Sequence, residues 1–245
     1  MNITTQSTLA EIVKANFRTA GLFESYNLDF CCNGNRSLEK ACTDKQLNPE
    51  VILEKLESID TGQSHNQNYQ NYDNWKLDFL IDYIVNTHHS YVSRTLPLIS
   101  AHSLKVKNAH GTNHPEINEI AILWSAVNDE LEAHMMKEER MLFPYIKKLV
   151  YAKDGKENYE TAPFGTVENP ISMMEKEHTS AGNALYRIRE LSNNYTPPED
   201  ACGTFKVFYE ELKDFEKDLH THIHLENNYL HPKAIALENE LREKN

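Results

Sequence analysis

Glycine and proline are both scarce here, at 8 and 9 of 245 residues. That excludes collagen-like and low-complexity chains and disfavours a turn-rich β-sandwich. No apolar run approaches the roughly 20 residues a membrane-spanning helix needs, so no membrane partner is expected. Basic residues are outnumbered, with 25 Lys and Arg against 37 Asp and Glu, a net charge of −12. This disfavours nucleic acid, whose binding depends on Lys and Arg contacts to phosphate. Four cysteines are too few for a disulfide framework. The opening MNITTQSTLAEIV lacks a basic stretch followed by an apolar one, so no secretory signal is expected. A reduced, cytoplasmic protein is the expectation.

What the chain does have is histidine, 12 in all, and none in the first 60 residues. Those residues read as a small helical domain. Helical spacing runs through Leu9, Ile12 and Val13, then through Ala20, Phe23 and Tyr26. Ser37 can cap a third helix and Pro49 can open a fourth. Between the second and third lies DFCCNG, with Asn33-Gly34 as turn chemistry. Residues 61–74, TGQSHNQNYQNYDN, have almost nothing to bury and read as a polar linker.

Residues 75–245 carry four long helical patterns and no convincing strand alternation. The apolar stripes run through Ile81, Val85, His89, Val92 and Leu96; through Trp124, Val127, Leu131, His134, Glu138 and Met141; through Met174, His178, Ala181 and Leu185; and through Phe215, Leu219, His222, Glu226 and Tyr229. Pro232 should kink or break the last of these. The expected fold is all-α, a small N-terminal helical domain plus an antiparallel four-helix bundle.

Each stripe holds one histidine, His89, His134, His178 and His222, separated by 45, 44 and 44 residues. In an up-down-up-down bundle, near-equal separations around alternate ends put all four at one height. Four imidazoles in an apolar core need partners, and a metal supplies one. Glu138 and Glu226 each follow a histidine by four, on the same helix face. A core glutamate without a cation is costly. The set suits two irons, each with two histidines, both glutamates bridging; manganese or zinc would also accept it. HMMKEERMLFP (134–144) and HIHLENNYLHP (222–232) share H-x-x-x-E-x-x-x-L-x-P at an offset of 88, an internal two-fold.

His88 follows Ile84 by four and is the alternative to His89, which fits the Val85–Val92 stripe better. His220 and His224 point away from His222 and read as outward. His65, His102, His110, His114 and His231 fall in loops or near helix ends. Glu130, a turn before His134, is a candidate proton relay; Glu177, beside His178, is a weaker one. A helix starting near Ser37 could lower a neighbouring thiol's pKa and make Cys31 or Cys32 reactive. Cys42 and Cys202 read as buried structural residues.

These residues resemble the hemerythrin-like family. Oxygen-carrying members have a second histidine four after the third-helix ligand, where this chain has Gly182. Their fourth-helix carboxylate lies five after its histidine, where this chain has Asn227, with Glu226 at plus four instead. One imidazole fewer should leave the metals more open. DFCCNG ahead of such a bundle resembles the Repair of Iron Centres family over nearly the whole chain. That resemblance implies a cytoplasmic di-iron protein, two irons per chain with an oxo or hydroxo bridge. It implies His89, His134, His178 and His222 as terminal ligands and Glu138 and Glu226 as bridges. Its implied partners are iron–sulfur proteins damaged by nitric oxide or peroxide, and it tilts the expectation towards a homodimer. It also implies a role for Cys31 and Cys32 in redox chemistry, nitric oxide capture or iron handling. The competing expectations are a nitric oxide reductase forming nitrous oxide and a protein that binds or senses O2.

Overall fold

The structure, a computed structural model, describes residues 3–60 and 72–244. Most of the expected linker, and His65 with it, lies outside the described residues. Among them there is no strand, only isolated bridges such as Thr8–Ser37.

Four short helices come first: α1 (Leu9–Ala15), α2 (Thr19–Ser25), α3 (Leu38–Asp44) and α4 (Pro49–Asp60). Local chemistry explains their starts. Thr8 accepts from the Glu11 amide while Glu11 returns a bond to the Thr8 amide, a reciprocal cap. Ser37 caps α3 by accepting from the Lys40 amide. The two caps lie side by side, with Leu9 N donating to the Arg36 carbonyl and Leu38 N to the Ser7 carbonyl. Gly34 serves that packing. Ala10 N donates to its carbonyl at 2.8 Å, and any side chain there would collide with the Phe30 carbonyl. Its φ is not positive, so close approach rather than left-handed turn chemistry selects glycine.

The bundle has four arms. The first comprises α5 (Leu77–Ile84), a π turn (Val85–His89) and α6 (Ser90–His110). The second comprises α7 (Glu116–Lys137), a π turn (Glu138–Leu142) and α8 (Phe143–Lys153). The third is α9 (Glu168–Leu191). The fourth comprises α10 (Gly203–Leu225), a π turn (Glu226–Leu230) and α11 (His231–Glu243). Tyr72, placed with the linker from sequence, instead packs on Trp75 and Tyr229 at the foot of the bundle, within a short 3-10 turn, Tyr72–Asn74.

Three of the arms therefore widen by one residue in the segment that holds the histidine–carboxylate chemistry. Pi turns concentrate at functional sites because the extra residue re-aims side chains. Here it shifts the helical register. Glu138 stays buried, but Met141, expected three residues along the same stripe, is 40% exposed, and Leu142 takes the inward position. The shift also accommodates proline. Pro144 and Pro232 each fall in the first turn after a π turn, where the missing amide costs least, so Pro232 does not break its arm.

Two hydrophobic clusters bracket the histidines along every arm. One holds Val92, Leu131, Ala181 and Leu219; the other holds Ile84, Leu142, Met174 and Leu230. The short N-terminal helices extend the first cluster, adding Leu9, Ile12, Phe23 and Leu38 to the same core as Trp124 and Phe215. They cover the face of α10 that carries His220 and His224. His220 donates to Glu24, and His224 is fully buried against Phe17 and Phe30. Both point away from the four-histidine layer as expected. They meet protein rather than water because the N-terminal helices lie there.

Candidate metal centre

His89, His134, His178 and His222 are each about 1% exposed, and Glu138 and Glu226 are completely buried. They form two overlapping groups of potential ligands, His89–His222 and His134–His178, with both glutamates common to the two. The Nε2 atoms face inward, 3.1 Å apart in the first pair and 3.0 Å in the second. Glu226 divides its oxygens between the pairs, Oε1 lying 3.0 Å from His222 and Oε2 lying 3.1 Å from His178. Glu138 Oε2 lies 3.4 Å from His89 and 3.3 Å from His134.

The donor set fits a pair of cations. Neither oxygen of Glu138 finds a hydrogen-bond donor, nor does Oε2 of Glu226, although all are buried. Unpartnered buried carboxylate oxygens cost several kcal/mol. Imidazole and carboxylate ligands without thiolate accept iron, manganese or zinc.

Charge tells the same story. Burial disfavours a charged His89, but the adjacent Glu138 and Glu226 carboxylates outweigh it and hold the ring up at about 10. Burial likewise opposes a charged His134, and Glu138 and Glu226 raise it to about 9. Burial and the neighbouring Glu226 push Glu138 upward, yet His134 and His89 bring it down to about 2. The two carboxylates thus call for positive charge beside them, which a metal ion would supply.

The outward ring nitrogens show how the ligands are held. Nδ1 of His89 donates to Glu139 at 2.8 Å, that of His134 to Glu177 at 2.8 Å, and that of His178 to Asn227 at 2.9 Å. Such partners fix the tautomer and ring orientation. Nδ1 of His222 has no partner. His88 stacks on that ring with planes 7° apart and donates to Asp218 at 3.0 Å. So His89 joins the group while His88, also buried, lies behind His222; the π turn brings both neighbours inside. His231, expected near a helix end, is fully buried and stacks on His178 at 3°.

Glu130 does not face this layer. It is exposed and accepts from Ser180 Oγ at 3.0 Å. His134 lies at the edge of its stripe, so the position one turn earlier falls about 80° from the stripe's centre. Glu177, the weaker expectation, is the carboxylate that touches a histidine of the layer, and Lys137 pairs with its other oxygen. Glu139 went unseen in the sequence, and Asn227 was noted only as standing where oxygen-carrying relatives have a carboxylate. Their one signal was adjacency to Glu138 and Glu226.

Cys31 and Cys32 come close to this layer. Asn227, whose Oδ1 receives His178, donates through Nδ2 to the Cys31 carbonyl at 3.1 Å. A Cβ on Gly182, one turn past His178, would lie 3.6 Å from Cys32 Sγ. The Cys31 thiol is pushed well above its usual range by its contact with Cys32, by burial and by the Asp29 charge. For Cys31 this is opposite to the expected lowering. The first amides of α3 bond the Ser7 and Thr5 carbonyls and the Ser37 hydroxyl, and α3 begins seven residues after Cys31. Cys42 is buried as expected, but Cys202 is exposed, 3.2 Å from His110, because it ends the loop before α10.

A buried four-histidine, two-glutamate layer in an antiparallel bundle defines a hemerythrin-like cation-binding protein. Residues 80–234 match the Hemerythrin HHE cation binding domain, and residues 5–60 match ScdA_N, a Domain of Unknown function (DUF542). The chain is 35% identical over 233 residues to the iron-sulfur cluster repair protein YtfE of Musicola paradisiaca, covering 94% of this chain and 96% of the relative. It is 33% identical over 228 residues to the Shigella boydii protein of that name, covering 93% and 96%. The Pectobacterium atrosepticum protein is 35% identical over 227 residues at the same coverage. The chain belongs to the YtfE family. No described helix is long and apolar enough to cross a membrane.

Proposed function

We propose that the histidine–glutamate layer holds two iron ions and that this chain repairs damaged iron–sulfur clusters by giving up iron from it. The observation that carries this reading is one pair of carboxylates shared by two histidine pairs. His89 and His222 would hold one ion, His134 and His178 the other, with Glu138 and Glu226 joining them. When bound, the iron pair supplies transferable ferrous ion and redox chemistry. Glu139, Glu177 and Asn227 orient the imidazoles, and the flanking apolar clusters keep bulk water away. The relatives are named for cluster repair, which supports the assignment over most of the chain. Damaged iron–sulfur proteins are then its partners, and four free cysteines suit a reducing cytoplasm. Two domains with separate tasks, residues 1–60 and 75–245, complete the reading.

The test is metal analysis with Mössbauer spectroscopy on protein from iron-replete cells, followed by transfer to an apo-ferredoxin. Two coupled irons per chain and a rebuilt ferredoxin cluster are expected. Zinc alone, or a single iron, would sink the paired site. Multiple-turnover nitrous oxide formation without iron transfer would replace repair by nitric oxide reduction.

A further inference from the structure

A second set of metal donors lies outside the bundle layer, on the loop between α2 and α3. Asp29 Oδ1 accepts from the backbone amides of Cys31 and Cys32, at 3.1 and 2.9 Å, and stands 3.3 Å from Cys31 Sγ. Asn33 donates to the other oxygen at 2.6 Å. The carboxylate is thus fixed beside both thiols. Burial disfavours its charge, but these hydrogen bonds outweigh it and keep Asp29 ionised below its usual range.

The two sulfurs are 3.8 Å apart. A disulfide would need about 2.05 Å. Two thiolates bound to one tetrahedral ion, with metal–sulfur bonds of about 2.3 Å, stand about 3.8 Å apart. The thiols, in contact with each other, already stand at the spacing a chelating pair needs. Asp29, Cys31 and Cys32 bring one donor atom each within 4.8 Å of the others. A cavity of about 290 Å³ opens beside them, bounded across from the thiols by Thr179, Gly182 and Asn183 of α9. An ion therefore has both donors and a route. It also has a neighbour, since the Cys31 carbonyl is bonded to the Asn227 that holds His178.

We propose that Asp29, Cys31 and Cys32 form a mononuclear site for a thiophilic divalent ion, ferrous iron in the cell, at a waypoint between the bundle and the cavity. Binding replaces the two S–H bonds with two metal–sulfur bonds, and both protons leave to solvent. No electron moves. The fourth position faces the cavity, where an acceptor's thiolate can enter. The waypoint role rests on the iron-donation reading above; the binding does not.

The probe is Co2+, titrated into the full chain with the bundle already iron-loaded. One equivalent should bind and give sulfur-to-cobalt charge transfer in the near ultraviolet, which histidine and glutamate ligands cannot produce. Cys32→Ser, at the half-exposed position, should abolish the band; Cys202→Ser should leave it. Asp29→Asn should weaken binding about 10-fold. Absence of the band in the unaltered chain, or its survival in a Cys31→Ser, Cys32→Ser variant of unchanged helicity, would overturn the site. Iron transfer to an apo-ferredoxin should slow at least several-fold in Cys32→Ser. An unchanged rate would overturn the waypoint. A bundle without paired iron would fail the functional reading while leaving the cobalt titration to be judged by itself.

Discussion

The two halves of the histidine–glutamate layer are alike on the inside and different on the outside. His89–His222 and His134–His178 have near-identical Nε2 separations and the same two carboxylates. Yet His134 is braced by Glu177 and His178 by Asn227, whereas on the other side only His89 is braced, by Glu139. His222 has a stacked ring behind it and no acceptor. The His134–His178 half is joined to the thiol loop through Asn227, which holds His178 and donates to the Cys31 carbonyl. An internal sequence repeat can build a symmetric inner shell, but the outer shell is drawn from whatever packs nearby. Two ions held there would therefore be inequivalent, and the His89–His222 half, less firmly braced, should lose its ion first.

The largest effect tests what the halves share. Glu138→Leu with Glu226→Leu should remove paired metal binding and leave the helical circular dichroism intact; two tightly held ions in that variant would refute the shared carboxylates. Next comes the difference between neighbours. His89→Leu should leave one iron, since only its own half is lost, and His88→Leu should keep both. The opposite result in metal analysis would exchange their roles.

A smaller effect probes the bracing. Glu177→Gln or Asn227→Leu should weaken the His134–His178 position by about 10- to 100-fold and spare the other. Chelator-driven iron release would then change order, with the braced half going first. If both variants release iron as the unaltered chain does, the asymmetry has no energetic weight. Protonation gives a further handle. The Glu138 and Glu226 carboxylates raise His89 to about 10 and His134 to about 9, both above neutral pH. Metal uptake should expel a proton from each ring, about two per chain, and affinity should rise with pH up to about 10. Calorimetry in buffers of different ionisation heat measures this; no buffer dependence would contradict it. Glu130→Gln should do least. Its carboxylate reaches only Ser180, so iron content and release should change less than about two-fold.

The inner shell was legible because helices convert spacing into position. Equal separations of the four histidines, and glutamates at plus four, leave few ways to build a bundle without bringing them together. The outer shell was not legible for two reasons. Three π turns shift the register by one residue, which no regular 3.6-residue count anticipates; hence Met141 turned out and Leu142 turned in. The remaining positions depend on contacts between segments far apart in the chain. Glu130 on α7 and Glu177 on α9 each lay near a histidine in sequence, with Glu130 the stronger candidate, and only the packing of α7 on α9 reverses that order.

The all-α class, the four arms, the clustering of four histidines with two glutamates and the capped N-terminal helices follow from the sequence itself, because periodicity, capping and turn chemistry act over a few residues. Tertiary structure alone decided which ring nitrogens are braced and that His224 and His231 are buried. It also decided that Cys31 lies one hydrogen-bonded side chain from His178. These depend on where the N-terminal helices settle on α9 and α10. That is set by shape and by buried area summed over many residues, and no short pattern encodes it.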